Sequence, residues 1–182
     1  MNKAHNNKAV DIALTGMFTA IITICSWISI PFTVPITMQT FGIFLTIGLL
    51  GIKKSLLSLT IYVFLGIIGL PVFANFNSGI TILAGPTGGY MLGFFLIIFI
   101  TGALLKKDSK SNASIFLAML IGQLSCYIFG TLWFILVYLP KPETASLTTI
   151  LLSCVFPFVV PDIVKILLAI TVIKRLKRYI TR

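Results

Sequence analysis

The sequence predicts an all-α integral membrane protein, with residues 1–182 forming a single membrane domain, and three observations lead to this class. Of the 182 residues, 58% are hydrophobic and only 10% are charged, whereas a soluble domain carries about 25% charged residues. The mean hydropathy is +1.08. Apolar segments alternate with short basic clusters, and the clusters lie at segment ends, where membrane proteins place cytoplasmic cations. Such a chain has no room for a sizeable soluble domain.

Six apolar segments are predicted to be transmembrane helices, and prolines or basic residues delimit them. The first is interpreted as an anchor, because no small-residue cleavage site follows it. The second and third are short for a crossing of about 20 residues, so we expect them to be tilted or extended by neighbouring residues. The predicted spans are residues 10–30, 41–52, 55–70, 86–105, 114–139 and 146–173.

Two connections between these spans are almost as apolar as the spans themselves. Residues 31–40 contain two prolines, and residues 71–85 contain two Asn and two Gly; neither segment carries a charge. Irregular backbone at membrane depth is tolerated where protein buries it or where it lines a cavity. We therefore expect connections 1-2 and 3-4 to fold inward over the outer mouth of the bundle as walls of a pocket. Two loops that pack on each other without a ligand are the alternative.

The basic residues predict an orientation with both termini in the cytoplasm (N-in and C-in). On a six-span topology, the cytoplasmic segments hold twelve of the fourteen Lys and Arg residues, as the positive-inside rule requires. Lys141 lies outside, and Lys165 lies within the sixth span. The net charge of +10 does not indicate nucleic-acid binding, because the spans interrupt the basic stripe that such binding needs. The expected partner of this surface is the lipid bilayer of a cell membrane, crossed several times.

Asp162 and Lys165 are opposite charges deep inside an apolar segment. At about 1.5 Å per residue, they lie roughly 18 Å and 13.5 Å along the helix from Lys174, near the middle of a hydrocarbon core of about 30 Å. A charge there costs at least ~2.5–3.5 kcal/mol, so such residues usually face a cavity, a partner or a substrate. A purely structural ion pair is the alternative. Pro157 and Pro161 favour a site, because we expect them to loosen the helix at the charges.

The two inward connections supply uncharged groups to the same predicted pocket. Asn75 and Asn77 offer amides, Phe73 and Phe76 offer apolar faces, and Gln39 adds a further amide. With one anion and one cation, this mixture suits a small organic molecule that carries a carboxylate and amide-like groups. A bare metal ion would need several carboxylates or a His/Cys set, so no metal site is predicted.

Two stripes of small residues recur at helical spacing, which favours close helix–helix contact. Either stripe can pack inside the bundle or dock a partner. The chain contains no GxxxxGK[ST] nucleotide motif, so energy for any transport must come from a partner protein, with Ala9 and Ala13 as the candidate docking face. The stripes consist of Ala9, Ala13, Gly16 and Ala20 on the first span and of Gly85, Gly89 and Gly93 on the fourth.

Three segments resemble the biotin-specific S components of energy-coupling-factor (ECF) transporters, the BioY family. They are GLPVFANFNSGITILAGPTGGYMLGF at residues 69–94, VPITMQTFG at residues 34–42 and PDIVK at residues 161–165. The resemblance runs from the first helix to the last. It implies six helices and a biotin pocket open to the outside, with uptake driven by a membrane coupling (T) subunit and two ATPase subunits. It also implies no enzymatic activity and no cofactor, since biotin is the transported ligand and the partners use the ATP.

The resemblance also implies roles for individual residues. Ala9 and Ala13 match the AxxxA motif through which S components contact the coupling subunit. Asn75 is the alternative to Asn77, because the segment before GPTGGY varies in length. The residues implied to hydrogen-bond biotin or to lie beside it are Asn77, Asp162, Lys165, Gln39 and Tyr90.

Other function classes compete with a biotin-capture subunit. One is an S component for a different small carboxylate-bearing vitamin, another is a small intramembrane enzyme, and a third is a structural membrane protein that uses its glycine stripes only for assembly. The enzyme is disfavoured because the sequence lacks HExxH, GxSxG and Cys/His arrangements. One Asp and one Lys are also few side chains for a catalytic site.

Overall fold

The computed structural model of the chain describes residues 2–32, 34–105, 111–138 and 155–180. Most of these residues are helical, so the predicted all-α class is confirmed. The α-helices, in chain order, are α1 (Asn2–Trp27), α2 (Gln39–Leu50), α3 (Ile52–Ile67), α4 (Ile80–Ala84), α5 (Gly88–Leu104), α6 (Asn112–Tyr138) and α7 (Phe156–Ile180). The remaining regular elements of this part of the chain are two strands, β1 (Ser29–Ile30) and β2 (Ile36–Thr37), and a 3₁₀ turn at Ala74–Phe76.

Three helices in the described residues are long and apolar enough to cross a membrane. These stretches are Lys8–Trp27 of α1, Asn112–Val137 of α6 and Phe156–Arg178 of α7. Helices α2 and α5 are apolar but shorter. The long apolar helices indicate a membrane protein.

Several helix ends differ from the predicted span ends, because a helix end and a membrane boundary have different physical causes. Helix α1 already begins at Asn2, and α7 continues to Ile180, beyond the predicted span end at residue 173. Backbone hydrogen bonds form in polar segments as readily as in apolar ones. Hydropathy therefore located the apolar part of each helix and missed its polar extensions.

Both apolar connections contain more regular structure than predicted. In the first, β1 and β2 pair antiparallel, with Ser29 opposite Thr37, and Gln39 is already the first residue of α2. The second contains α4 and the 3₁₀ turn, in which Asn75 and Phe76 have φ values of 56° and 59°. This left-handed backbone is rare for bulky residues such as Phe, so the turn is held by its surroundings.

In the described residues the prolines of the sixth span do not interrupt its helix at the charges. Helix α7 runs unbroken from Phe156 to Ile180, with Pro161 inside it. Pro157 is the second residue of this helix, where an N–H has no intrahelical partner in any case. Pro161 lies in the second turn and cannot donate to the carbonyl of Pro157, yet the helix continues through it. Residues 146–154 of the predicted span lie outside the described residues.

Helix α2 lies at the centre of the bundle, where it contacts α1, α3, α5 and α7. Ile43 and Phe44 are fully buried, and even Thr46 has no exposed surface. A helix that is hydrophobic on all sides is a buried one. Its central position explains why its 12 residues contain no charge, and it places the first turn of α2 beside α7.

The predicted stripe of three glycines is only partly on one helix: Gly85 follows α4 and precedes α5, whereas Gly89 and Gly93 lie on α5 and pack against α6. A Cβ atom on Gly89 would lie 2.2 Å from Cβ of Trp133, and one on Gly93 would lie 2.7 Å from Sγ of Cys126. Only glycine permits this approach, because such distances are far below van der Waals contact. This stripe therefore holds α5 and α6 together.

The small-residue stripe of α1, in contrast, lies on the outer surface of the described part of the bundle. Ala9, Ala13, Gly16 and Ala20 are all exposed in the described chain. A Cβ atom on Gly16 would meet nothing within 4 Å. Packing inside the bundle, one of the two alternatives left open by the sequence, is therefore excluded for this face within the described residues.

Candidate ligand-binding site

A cavity of about 250 Å³ lies between α2, α5, α6 and α7. Residues of both apolar connections also line it, so these connections form part of its wall. Most of the lining surface is apolar. Polar side chains come from several elements, and those of α6 and α7, including both charges, form one polar side of the cavity. Sites for small organic ligands have this composition. The apolar lining includes Phe32, Val34, Phe73, Met91, Phe94 and Phe158.

Asp162 and Lys165 line this cavity and are buried, with 3% and 5% of their surface exposed. They stand one turn apart on α7, and Lys165 Nζ lies 2.7 Å from Asp162 Oδ1. Pairing offsets part of the cost of removing each charge from water. The structure thus brings the two charges predicted from the sequence to one wall of a cavity.

Three helices converge on the carboxylate of Asp162. Its Oδ1 accepts hydrogen bonds from Lys165 Nζ at 2.7 Å and from Thr40 Oγ1 at 3.2 Å. Its Oδ2 accepts from Gln123 Nε2 at 2.8 Å and from the hydroxyl of Tyr127. Because an ionised carboxylate has about four acceptor positions, this one is saturated. Asp162 therefore orients its neighbours and keeps little capacity for a ligand of its own.

Two groups beside Asp162 keep unused hydrogen-bonding capacity within the described residues. The Lys165 ammonium carries three N–H donors, and its bond in this part of the chain is the one to Asp162. Gln123 Oε1 is buried and accepts no hydrogen bond. The polar side of the cavity therefore offers free donors and one free acceptor to whatever occupies it.

Gln39 and Tyr90 line the cavity, but their polar groups already have protein partners. Gln39 Nε2 donates to Tyr62 Oη at 2.6 Å, and Gln39 Oε1 accepts from Thr37 Oγ1 at 3.0 Å. The Tyr90 hydroxyl shares a hydrogen bond with Thr131 Oγ1 at 3.1 Å. The structure places both residues in the wall of the predicted pocket, where they shape it.

Asn77 lines the cavity, and Asn75 does not. Asn77 follows the 3₁₀ turn, and its Nδ2 donates to the carbonyl oxygen of Ala74 at 3.0 Å. Asn75 faces β1, where its Oδ1 accepts a hydrogen bond from Ser29 Oγ at 2.7 Å. Of the two asparagines that the sequence left open, only Asn77 is positioned to reach a ligand in the cavity.

The second connection is anchored deep in the bundle. Phe73 is 1% exposed, and its ring rests on Gly66 of α3, where an added Cβ would lie 1.9 Å from the ring. The ring also meets Tyr62 edge-on, with centroids 5.6 Å apart. Ser26 of α1 donates to the carbonyl oxygen of Val72. The wall that carries Asn77 is therefore fixed from two helices.

Sequence reasoning missed Thr40, Gln123 and Tyr127. Gln123 and Tyr127 are one turn apart on the same face of α6, inside a segment read as simply apolar. A buried amide within a membrane segment was itself a signal of a polar site. Thr40 carried no comparable signal, because threonine commonly bonds to its own helix backbone.

Comparison with known proteins identifies a family that this chain matches over its whole length. The profile of the BioY family matches residues 1–182. Over 164 residues the chain is 38% identical to the biotin transporter BioY of Thermotoga maritima, covering 90% of this chain and 93% of that protein. Over 171 residues it is 35% identical to a probable biotin transporter BioY of Pyrococcus horikoshii, covering 93% and 98%.

A solved structure gives the same result in three dimensions. The crystal structure of the S-component for biotin from an ECF-type ABC transporter matches with a TM-score of 0.85 at 29% sequence identity. The match covers 98% of this chain and 95% of that one. The likeness therefore extends over the whole bundle.

Proposed function

Because this chain belongs to the BioY family, we propose that it is the substrate-binding (S) subunit of an ECF-type transporter and that it captures biotin for uptake. It is a transporter component and not an enzyme. The observation that carries the proposal is the 250 Å³ cavity, with the buried Asp162–Lys165 pair at its polar side. In a membrane protein, a buried charge pair beside a cavity indicates a functional site.

The lining of the cavity matches the chemistry of biotin. Biotin combines an apolar fused-ring and acyl body with a cyclic urea and a carboxylate. Aromatic side chains such as Phe73 and Phe94 supply apolar walls for the body. Lys165, Asn77 and Asp162 add polar groups to the lining. We propose that these three side chains hydrogen-bond the ligand or orient it. Gln39 and Tyr90 form the adjoining wall.

The proposal includes a six-span topology in a prokaryotic plasma membrane, with both termini in the cytoplasm. Basic residues support it, because they gather at one end of the bundle: Lys54 of α3 pairs with Asp11 of α1, and Ile173, next to Lys174, lies against Gly48 of α2. The positive-inside rule makes that end cytoplasmic. The two apolar connections lie at the other end and would form the outer wall of the pocket.

Uptake would draw its energy from partner subunits, and the chain needs no cofactor of its own. We propose that the exposed α1 face at Ala9 and Ala13 docks the membrane coupling subunit, which works with two ATPase subunits. Small residues allow close helix approach, and this face is exposed in the described chain. The face is separate from the cavity, so binding and transport can be tested apart.

Replacing Ala9 or Ala13 with Trp is expected to abolish ATP-driven uptake while leaving biotin affinity unchanged. The bulky ring would hold α1 away from the coupling subunit. Uptake is measured in cells that supply the coupling and ATPase subunits, and binding is measured in detergent. Ile128→Trp is the matched control, since Ile128 is 64% exposed on α6, away from this face. Normal uptake by the Ala9 and Ala13 variants would place the docking surface elsewhere.

Equilibrium binding of radiolabelled biotin to the purified protein tests the proposed function itself. We expect saturable binding that unlabelled biotin competes away and that a straight-chain carboxylic acid of similar length does not. Competition by a different carboxylate-bearing vitamin, with no response to biotin, would make the protein an S component for that vitamin. No saturable binding of either would refute the proposal.

A further inference from the structure

Gln123 on α6 is a buried side chain whose amide is only half satisfied. The side chain is 3% exposed and lines the cavity. Its Oε1 is the buried side-chain polar atom that has no hydrogen-bond partner among the described residues. Native structures contain few such groups, and each one calls for a physical reason. Because the side chain lies in the cavity wall, a ligand in that cavity would be the nearest source of a partner.

The orientation of this amide follows from its neighbour. Gln123 Nε2 donates to Asp162 Oδ2 at 2.8 Å, and an ionised carboxylate can only accept. The amide nitrogen must therefore face Asp162, and the carbonyl oxygen cannot exchange places with it. The result is a hydrogen-bond acceptor whose orientation is fixed by the Asp162 carboxylate, to which Lys165 also donates.

We propose that Gln123 is a ligand-contacting residue whose Oε1 accepts a hydrogen bond from an N–H group of the cyclic urea of biotin. This inference rests on the proposed function. A urea presents N–H donors beside a carbonyl acceptor, which complements an amide oxygen next to an ammonium that has spare donors. A carboxylate has no N–H to offer and would face the oxygen of Gln123 and the anion of Asp162. The ureido end of the ligand therefore lies at α6 and α7, and the carboxylate end lies away from them.

A cycle of two proteins and two ligands tests this contact. Gln123→Met removes the amide but keeps a side chain of similar length, and a biotin methylated on one ureido nitrogen removes one donor. Both ring-nitrogen isomers are used, so that one of them carries the methyl group at Gln123. We expect Gln123→Met to weaken biotin binding by at least about tenfold, the effect of leaving a ligand donor unpaired. For the isomer methylated at the contact, the substitution should cost about threefold or less.

The cycle separates ligand contact from mere support of Asp162. A residue that only positions Asp162 would weaken biotin and both methylated isomers equally, and that result would overturn the proposal. Biotin affinity within about threefold of wild type in Gln123→Met would also overturn it. Gln123→Leu replaces Gln123→Met if the latter does not fold, and Ser125→Ala on the same helix is the control, because Ser125 bonds to its own helix at Gly122.

Failure of this inference differs visibly from failure of the proposed function. If wild-type protein does not bind biotin, the proposed function fails, and this assignment fails with it. If wild-type protein binds biotin but shows no coupling between Gln123 and either ureido nitrogen, only the Gln123 contact is wrong.

Discussion

Asp162–Lys165 and Asp11–Lys54 are both Asp–Lys ion pairs, but they lie at very different depths in the bundle. In the first, the side chains are 5% and 6% exposed, and three further side chains donate to the carboxylate. In the second, they are 49% and 35% exposed. The partly exposed pair joins α1 to the first turn of α3, whereas the buried pair lies within one helix and faces a cavity.

The comparison teaches that the same two residue types have different uses at different depths. A partly exposed pair is worth about 0–1 kcal/mol, because water solvates the separated charges almost as well. A buried pair contributes little net stability, yet breaking it costs about 3–5 kcal/mol, because one charge is left unpaired. Net stability therefore does not account for this pair, and it adjoins the proposed biotin site.

The largest expected effect comes from breaking the buried pair with Lys165→Met. Biotin affinity should fall by at least about 100-fold, equivalent to about 2.7 kcal/mol, because the cationic donor beside the ligand is lost. The unpaired Asp162 should also lower the free energy of unfolding by about 3–5 kcal/mol. Biotin titration and thermal unfolding in detergent measure the two effects.

A double variant separates loss of binding from loss of stability. Lys165→Met combined with Asp162→Asn removes both charges, so much of the lost stability should return while binding stays absent. Biotin affinity within about threefold of wild type in Lys165→Met would move the site away from this pair. It would leave Asp162–Lys165 as a structural pair like Asp11–Lys54.

An intermediate effect is expected from Thr40→Val, which keeps the shape of the side chain and removes one of the four donors to Asp162. Such a hydrogen bond contributes about 1 kcal/mol, or roughly fivefold in binding. The affinity should therefore fall by several fold, with the fold retained. If titration showed no change in affinity, the carboxylate would not need all four donors to hold its orientation.

The smallest effect is expected from Asp11→Asn at the exposed pair. Because both side chains are partly exposed, the free energy of unfolding should change by less than about 1 kcal/mol, and biotin affinity should not change. Lys54→Met should behave in the same way. A loss of binding comparable to that of Lys165→Met would contradict the distinction between the two pairs.

The helices were predictable from the sequence, but their ends were not. Apolar runs located the core of each long helix, because burial in lipid or protein selects apolar residues along the whole segment. The polar start of α1 and the basic end of α7 were missed, since helix formation does not require apolar residues. The sequence predicts irregular backbone where the structure has α4 and the β1–β2 pair. These elements contain too few residues for a periodic pattern to be visible.

The candidate site was predicted in part. The sequence predicts five pocket residues, and all of them line the cavity: Asp162, Lys165, Gln39, Asn77 and Tyr90. Their roles in binding remain predictions. The sequence left Asn75 and Asn77 open, since both are amides in one loop, and only the course of the 3₁₀ turn separates them. Gln123 was not predicted, because a single uncharged polar residue hardly changes the hydropathy of an apolar segment.

The amino-acid sequence by itself determined what depends on neighbours along the chain. Those features are the membrane class, the long helices, the one-turn spacing that pairs Asp162 with Lys165, and the two small-residue stripes. Only the tertiary structure decided what depends on how helices are rotated against one another. That rotation brings Thr40 and Gln123, which are 122 and 39 positions from Asp162 in the chain, to its carboxylate. It also buries the α5 stripe against α6 and leaves the α1 stripe exposed, because packing selects a face and composition does not.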